Sequence, residues 1–232
     1  KAWQLLGASI YNSPKEKPQQ GTHESLFCAR PGLNVWKASA WAESKDYYNP
    51  KEVMEAARLM LSVADKYKGN NNFEYDLVDV LRQAIAEKGR LTLKVLSAAY
   101  QAEDKDLFKQ AANRFLNLIL LQDELLGTRK EFRVGNWTDM ARNIGHTPEE
   151  KNLYEWNARV QITTWGNRSA SERGNLHDYA HKEWNGILKD FYYMRWKTYF
   201  DALTSELNGN LVPVLDWYAI EEPWTKVSDT YK

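Results

Sequence analysis

Apolar residues recur along this chain every three or four positions, and the strict alternation that marks a half-buried strand is weak or absent. Val53, Ala56, Ala57, Met60, Leu61 and Ala64 keep to one helical face. Asn49 can cap that helix and Pro50 can open it, because proline's missing N–H costs nothing in a first turn. Phe73 opens a longer pattern, in which Leu77, Val80, Leu81, Ala84, Ile85, Leu91, Val95, Leu96 and Ala99 hold the 3.6-residue period to Gln101. Unbroken, that helix would be about 43 Å long at 1.5 Å per residue, with Gly89 as its candidate bend. Asp104 caps the next stretch, whose inward face is Leu107, Phe108, Ala111, Phe115, Leu118, Ile119 and Leu125 and whose stop is Gly127. A shorter helix is expected over Val134 to Asn143. Thr147-Pro148-Glu149-Glu150 combines a capping Thr, Pro at the first position and Glu at the third, and starts a helix running to about Thr164.

The tract from Gln161 to Trp196 then places Trp165 and Gly166 at the end of that helix and follows them with a loop rich in Ser, Arg, Glu and Gly. The pattern predicts a helix over about Asn175–Phe191, carrying Asp178, Tyr179, His181 and Trp184, and another over Met194–Leu207. A polar loop between helices, with a large aromatic at its mouth, is a common wall for a ligand pocket. The Trp-rich tail from Val212 has no clear assignment. At the other end, residues 1–12 read as the end of a helix. Ser13 to about Asn49 is a long loop broken by Pro14, Pro18, Gly21, Pro31 and Gly32. A loop of that length is usually functional or tied down by its context. With no internal repeat and no low-complexity tract, the expectation is one all-α domain over residues 1–232. It is bundle-like, with about seven or eight helices and a long N-terminal loop.

Composition narrows the function. The 232 residues are 43% hydrophobic, enough for a real core, yet mean hydropathy is −0.66. The apolar stretch Leu116 to Leu121 is broken by Asn117 and is far short of the roughly 20 residues a spanning helix needs. The start, KAWQLLGASIYNS, lacks a signal peptide's apolar region. It reads as the middle of a helix, so the chain is expected to begin inside a larger protein. Lys+Arg and Asp+Glu balance at 31 each, which argues against nucleic acid or an acidic membrane as partner. The single cysteine, Cys28, excludes an internal disulfide and any multi-cysteine metal site. Asn136-Trp-Thr and Asn167-Arg-Ser match the glycosylation tripeptide, a pattern short enough to arise by chance. Ten Trp and 13 Tyr suit a protein that stacks rings on the C–H faces of sugars, although burial is the default reading of any one of them.

The remaining constellations are weighed against structural roles. Tyr75, Asp76, Asp79, Arg82 and Gln83 form a polar strip, best read as an Asp79–Arg82 pair that fixes helix packing. His177 and His181 stand one predicted helical turn apart. The metalloprotease pattern needs Glu directly after the first His, where Asp178 stands, and no third ligand is evident. No metal or cofactor is expected. Glu43/Asp46, Asp123/Glu124 and Glu221/Glu222 read as solvated acidic faces rather than the facing carboxylates of glycoside hydrolysis. There is no Gly-x-Ser-x-Gly elbow and no phosphate-binding glycine loop. By itself His23 reads as a solvated loop residue.

Several segments taken together carry a resemblance. AWQLLGASIYN, GTHESL and ARPGL in the long loop, FEYDLVDVLRQAI, WNARVQITTWG and GNLHDYAHKEWNGILKDFYYMRW resemble, in order, the C-terminal helical region of the α-N-acetylglucosaminidases of glycoside hydrolase family 89. YDLVDVLRQA and the TWG…GN-x-x-DYA-x-K-x-W pair are the most specific parts. In that family a β-domain precedes a (β/α)8 barrel, and an all-α domain follows. The reaction retains configuration through two barrel glutamates, so no residue here inherits either role. The resemblance implies a domain that packs on the barrel and completes the pocket for terminal N-acetylglucosamine. It implies that His23 contacts the sugar, that Trp165 forms the aromatic wall near the N-acetyl group, and that Leu176 is an apolar pocket residue. The tract NRSASER is longer than in animal members, which leaves the register of Leu176 open. The absence of animal-type sequons near Trp36–Asn49 suggests a bacterial source. A periplasmic or extracellular site would follow, where animal relatives are lysosomal. Alone, the domain is expected to be inactive and to expose an apolar or aromatic patch where the barrel docks. Two alternatives stay open: a self-sufficient α/α-barrel sugar hydrolase or lyase, and a non-catalytic helical binding module.

Overall fold

A computed structural model describes residues 1–12, 26–35, 48–212 and 214–226. Among them are eight α-helices and no strand beyond one isolated bridge, Arg133 to Asn185. The helices are α1 (Ala2–Ala8), α2 (Pro50–Leu61), α3 (Asn71–Gln101), α4 (Lys105–Gly127), α5 (Val134–Arg142), α6 (Pro148–Gln161), α7 (Tyr193–Leu207) and α8 (Trp217–Lys226).

The caps sit where local chemistry puts them. Asn49 Oδ1 accepts from the Lys51 N–H, Asp104 from Leu107, and Thr147 and Glu150 close a reciprocal capping box. Asn70 accepts from Phe73, so α3 begins two residues before its apolar pattern does. The short link between α3 and α4 forces them antiparallel. They form the spine, with α7 laid against α4, α2 against α3, and α1 against α2. Phe108, Phe115 and Ile119 of α4 meet Leu93 and Leu96 of α3 and Trp196 and Phe200 of α7 in the main core. A second cluster joins Leu6, Ala56, Ala57, Met60 and Val80.

Residues 26–35, where the sequence predicted part of a long loop, are tied into that core. Leu26, Phe27 and Cys28 form a buried 3₁₀ turn, and Phe27 sets its ring edge-on to Phe115 at 5.2 Å. This gives Gly89 a packing reason, within an α3 that runs through it as one element. A Cβ at Gly89 would lie 2.5 and 2.7 Å from the Phe27 ring. Gly89→Ala is therefore expected to destabilise by about 1–3 kcal/mol through overpacking, despite alanine's better helix propensity. Gly7→Ala, with nothing near its Cβ, should stabilise by up to about 1 kcal/mol. Urea denaturation of the two variants measures both signs.

One predicted helix is corrected. Residues 175–185 form a run of turns, preceded by a π-helical turn at Ser169–Arg173. Helix resumes at Ile187 and passes through a second π turn, Leu188–Tyr192, into α7. A local backbone conformation and one distant partner account for this. Asn175 and Asp178 are held in the left-handed region, at φ 53° and 59°, which ends any right-handed helix. Downstream, Asp123 of α4 accepts from the N–H groups of Gly186 (2.7 Å) and Lys189 (3.1 Å), and its Oδ2 accepts from Asn185 Nδ2 (2.8 Å). It thus caps the resumed helix from outside, so helix starts there and no earlier. Burial pushes the Asp123 carboxyl up, against the pull of those donors. The unassigned tail contains α8, whose first turn Asp216 caps by accepting from Ala219 N–H.

Candidate functional site

Trp165 follows the end of α6, and its N–H donates back to the Val160 carbonyl at 2.8 Å. Its φ is +61°, a conformation usually left to glycine at the end of a helix. The half-buried indole lies against Tyr179, with ring centroids 4.9 Å apart and planes at 52°. Tyr179 is 49% exposed. One tight turn joins it to half-buried Leu176, whose carbonyl accepts from the Tyr179 N–H at 3.2 Å. The structure therefore brings Trp165, Leu176 and Tyr179 onto one loop system. His23 lies outside the described residues. The sequence reading missed Tyr179 as a site residue because it placed that residue on a helix. Its signal was its position three residues after Leu176 in the same motif.

Behind this wall is a chain of buried charge. Asp178 donates its N–H to the Thr163 carbonyl at 2.8 Å, and its carboxylate takes a two-pronged bond from Arg195 at 3.0 and 2.9 Å. Arg195 also reaches Glu221 Oε1 at 2.9 Å and the Cys28 carbonyl at 3.1 Å, and stacks over Phe191. Burial opposes its charge, but Asp178 and Glu221 more than offset this and raise its pKa. Glu221 in turn accepts from Arg30 through both oxygens, each at 2.9 Å. Arg30 then grips Glu172 at 2.7 and 3.0 Å and Ser171 Oγ at 3.3 Å. The bonds from Arg30 hold the Glu172 carboxyl below its ordinary range. Glu221 and Asp123, read from sequence as members of solvated acidic pairs, are both buried, because each faces partners far away in the chain.

On the polar strip of α3, the expected Asp79–Arg82 pair is present. Arg82 pairs with Asp79 at 2.8 Å and also with Glu183, which accepts from Gln122. The run of turns is thereby pinned at Asp178, Glu183 and Asn185. His177 and His181 share no helical face, since no helix forms there. Each Nδ1 faces a main-chain carbonyl, Ser171 at 3.0 Å and Asp178 at 2.8 Å. The groove between α3 and α4, floored by Leu91, Val95 and Leu107 and flanked by Lys88 and Arg114, has no carboxylate in its lining. It lacks the acid pair that an α/α-barrel hydrolase would need.

With this geometry in view, comparison with known proteins is specific. The whole chain, residues 1–232, matches the family model described as the alpha-N-acetylglucosaminidase (NAGLU) C-terminal domain. Human α-N-acetylglucosaminidase is 32% identical over 207 residues, which are 89% of this chain and 26% of the human protein. A family 89 glycoside hydrolase from Clostridium perfringens, solved in complex with its substrate GlcNAc-α-1,4-galactose, superposes with a TM-score of 0.94 at 34% identity. That match covers 99% of this chain and 26% of the other. A Clostridium perfringens family 89 structure in complex with 2-acetamido-1,2-dideoxynojirmycin has the same TM-score and identity, over 27% of its chain. This chain thus spans about a quarter of the length of these relatives.

Proposed function

The chain belongs to the C-terminal domain family of the glycoside hydrolase family 89 α-N-acetylglucosaminidases, and from that premise we propose that it completes the sugar pocket of a larger enzyme. In this reading residues 1–232 are one all-α domain that follows a β-domain and packs on a (β/α)8 barrel. The whole polypeptide removes terminal α-linked N-acetylglucosamine from glycans, with retention of configuration. Trp165 offers its face to the C–H side of the sugar near the N-acetyl group, Leu176 an apolar contact, and Tyr179 a ring edge and a hydroxyl. His23, by the family resemblance, contacts the same sugar. Such an enzyme works outside the bacterial cytoplasm, in the periplasm or beyond the cell. Among the described residues, no helix is long and apolar enough to cross a membrane.

The observation that carries this reading is the partly exposed Trp165–Tyr179 pair, backed by carboxylates that are committed. Asp178, Glu221 and Glu172 are each held by an arginine guanidinium. A retaining hydrolase needs two carboxyl groups about 5–5.5 Å apart across the scissile bond, one free to attack and one to carry a proton. Carboxylates locked in bidentate arginine bonds do neither. The family resemblance puts the two catalytic glutamates in the barrel, and in this reading the present domain supplies binding and shape. The test is hydrolysis of a chromogenic α-N-acetylglucosaminide by the 232-residue chain and by the longer polypeptide, side by side. Only the longer polypeptide is expected to turn over. Turnover by the 232-residue chain would place a catalytic pair within these helices and overturn the reading.

A further inference from the structure

We propose that Glu221, on the C-terminal helix α8, is a positioning residue that holds both ends of the sugar-facing loop through two arginines. The proposal rests on the functional reading above and goes beyond it, since Glu221 touches no part of the Trp165–Leu176–Tyr179 wall in that reading.

The geometry is that of a fork. Glu221 Oε1 is shared between Arg195 Nη2 and Arg30 Nε, each at 2.9 Å, while Oε2 takes Arg30 Nη2 at 2.9 Å. One tine runs through Arg195 to Asp178, directly before Tyr179. The other runs through Arg30 to Ser171 and Glu172, in the π turn that precedes Leu176. The two tines therefore clasp the loop on either side of Leu176. The handle is rigid, because α8 is anchored by Trp224, which packs on Phe191 and over the Arg159 guanidinium, and whose carbonyl accepts from Arg159.

The loop needs such a clasp. Trp165, Asn175 and Asp178 all sit in the left-handed region, and backbone held there persists only where its surroundings over-determine it. Charge balance explains why a carboxylate is required at the fork. The two guanidinium groups are near enough to oppose each other's charge. Glu221, fully buried, lies between them. The buried carboxylates Asp178 and Glu221 thus match Arg195 and Arg30, with Glu172 at the more exposed end of the network, and such pairing is what makes buried ions tolerable. Without the Glu221 charge, the guanidiniums repel across the fork and the loop loses its common anchor.

The experiment is steady-state kinetics of the longer polypeptide on the chromogenic α-N-acetylglucosaminide, with thermal melting in parallel. If Glu221→Gln cuts the fraction of binding-competent loop to about one tenth, KM rises about tenfold. The kcat, set by the barrel carboxylates, should stay within about twofold on the same argument. A KM equal to wild type in a folded Glu221→Gln protein overturns the proposal. So does a parallel fall in kcat with KM unchanged. Should Glu221→Gln fail to fold, Glu172→Gln decides, since it cuts only the last and most exposed link. A KM rise of about threefold then supports the fork, by the same population argument, and an unchanged KM overturns it. If the wild-type polypeptide itself shows no turnover, the functional reading fails separately, and loop order decides. The ¹⁹F resonance of 5-fluorotryptophan at Trp165, assigned with Trp165→Phe, should be sharp in wild type and broadened or split in Glu221→Gln or, if that does not fold, in Glu172→Gln. An unchanged resonance overturns the clasp.

Discussion

Replacing Arg195 with methionine is expected to remove about 3–5 kcal/mol of folding stability, the cost of breaking a buried ion pair from one side. Methionine preserves much of the length and apolar volume, so the loss reports charge rather than packing. Arg195 is 1% exposed. Its removal strands Asp178 and the shared oxygen of Glu221 without their common partner, and leaves the Cys28 carbonyl without its donor. The contact with the Phe191 ring is lost as well. For a domain of this size the melting temperature should fall by roughly 6–20 °C, at 2–4 °C per kcal/mol. Urea denaturation of wild type and variant measures the difference directly. Arg195→Met combined with Asp178→Asn should recover part of the loss, because one of the two stranded carboxylates is then neutral. A loss under about 1 kcal/mol is what a solvated ion pair gives, and it would mean that water reaches this network.

The second large effect is kinetic. Trp165→Ala in the longer polypeptide is expected to lower kcat/KM on terminal α-N-acetylglucosamine by about 30-fold. That is the tenfold-per-1.4 kcal/mol equivalent of the 2 kcal/mol lost when an aromatic anchor is truncated. The loss should fall mainly on KM, since the ring contacts the sugar rather than the reacting bond. Trp165→Gly should show the same kinetic loss with better stability. At φ +61° a side chain costs about 1–2 kcal/mol that glycine does not incur, so Trp165→Gly should unfold at higher urea than Trp165→Ala. Unchanged kinetics in both variants would remove Trp165 from the pocket wall.

The two predictions differ in how much of them the sequence discloses. Trp165 and Leu176 are named by the motif that carries the family resemblance, and the structure adds that Tyr179 joins them. Arg195 and Glu221 carry no such signal. Glu221, beside another glutamate, reads as a solvated residue and Arg195 has no assigned role, because the partners that bury them, Asp178 and Arg30, lie more than ten positions away. The predicted helix over Asn175–Phe191 failed for the same reason. Its apolar spacing is real, but Asp123, more than fifty residues upstream, claims the N–H groups of Gly186 and Lys189, and Arg195 claims Asp178. Helical period is a weak preference per residue, and buried, charge-assisted bonds outweigh it.

By itself the sequence determined whatever is set within a few residues: helices α2 to α7, the Asn49, Asp104 and Thr147 caps, the all-α class, and the family to which the chain belongs. Capping and periodicity act over one or two turns, so they are written locally and can be read locally. Tertiary structure decided the rest. It made Gly89 a seat for Phe27, made a run of turns where a helix was patterned, and set Tyr179 beside Trp165. It also buried Glu221 between two arginines, one near each end of the chain. Each of these depends on a partner distant in sequence, and whether a carboxylate faces water or a guanidinium is a property of the folded neighbourhood rather than of the residue.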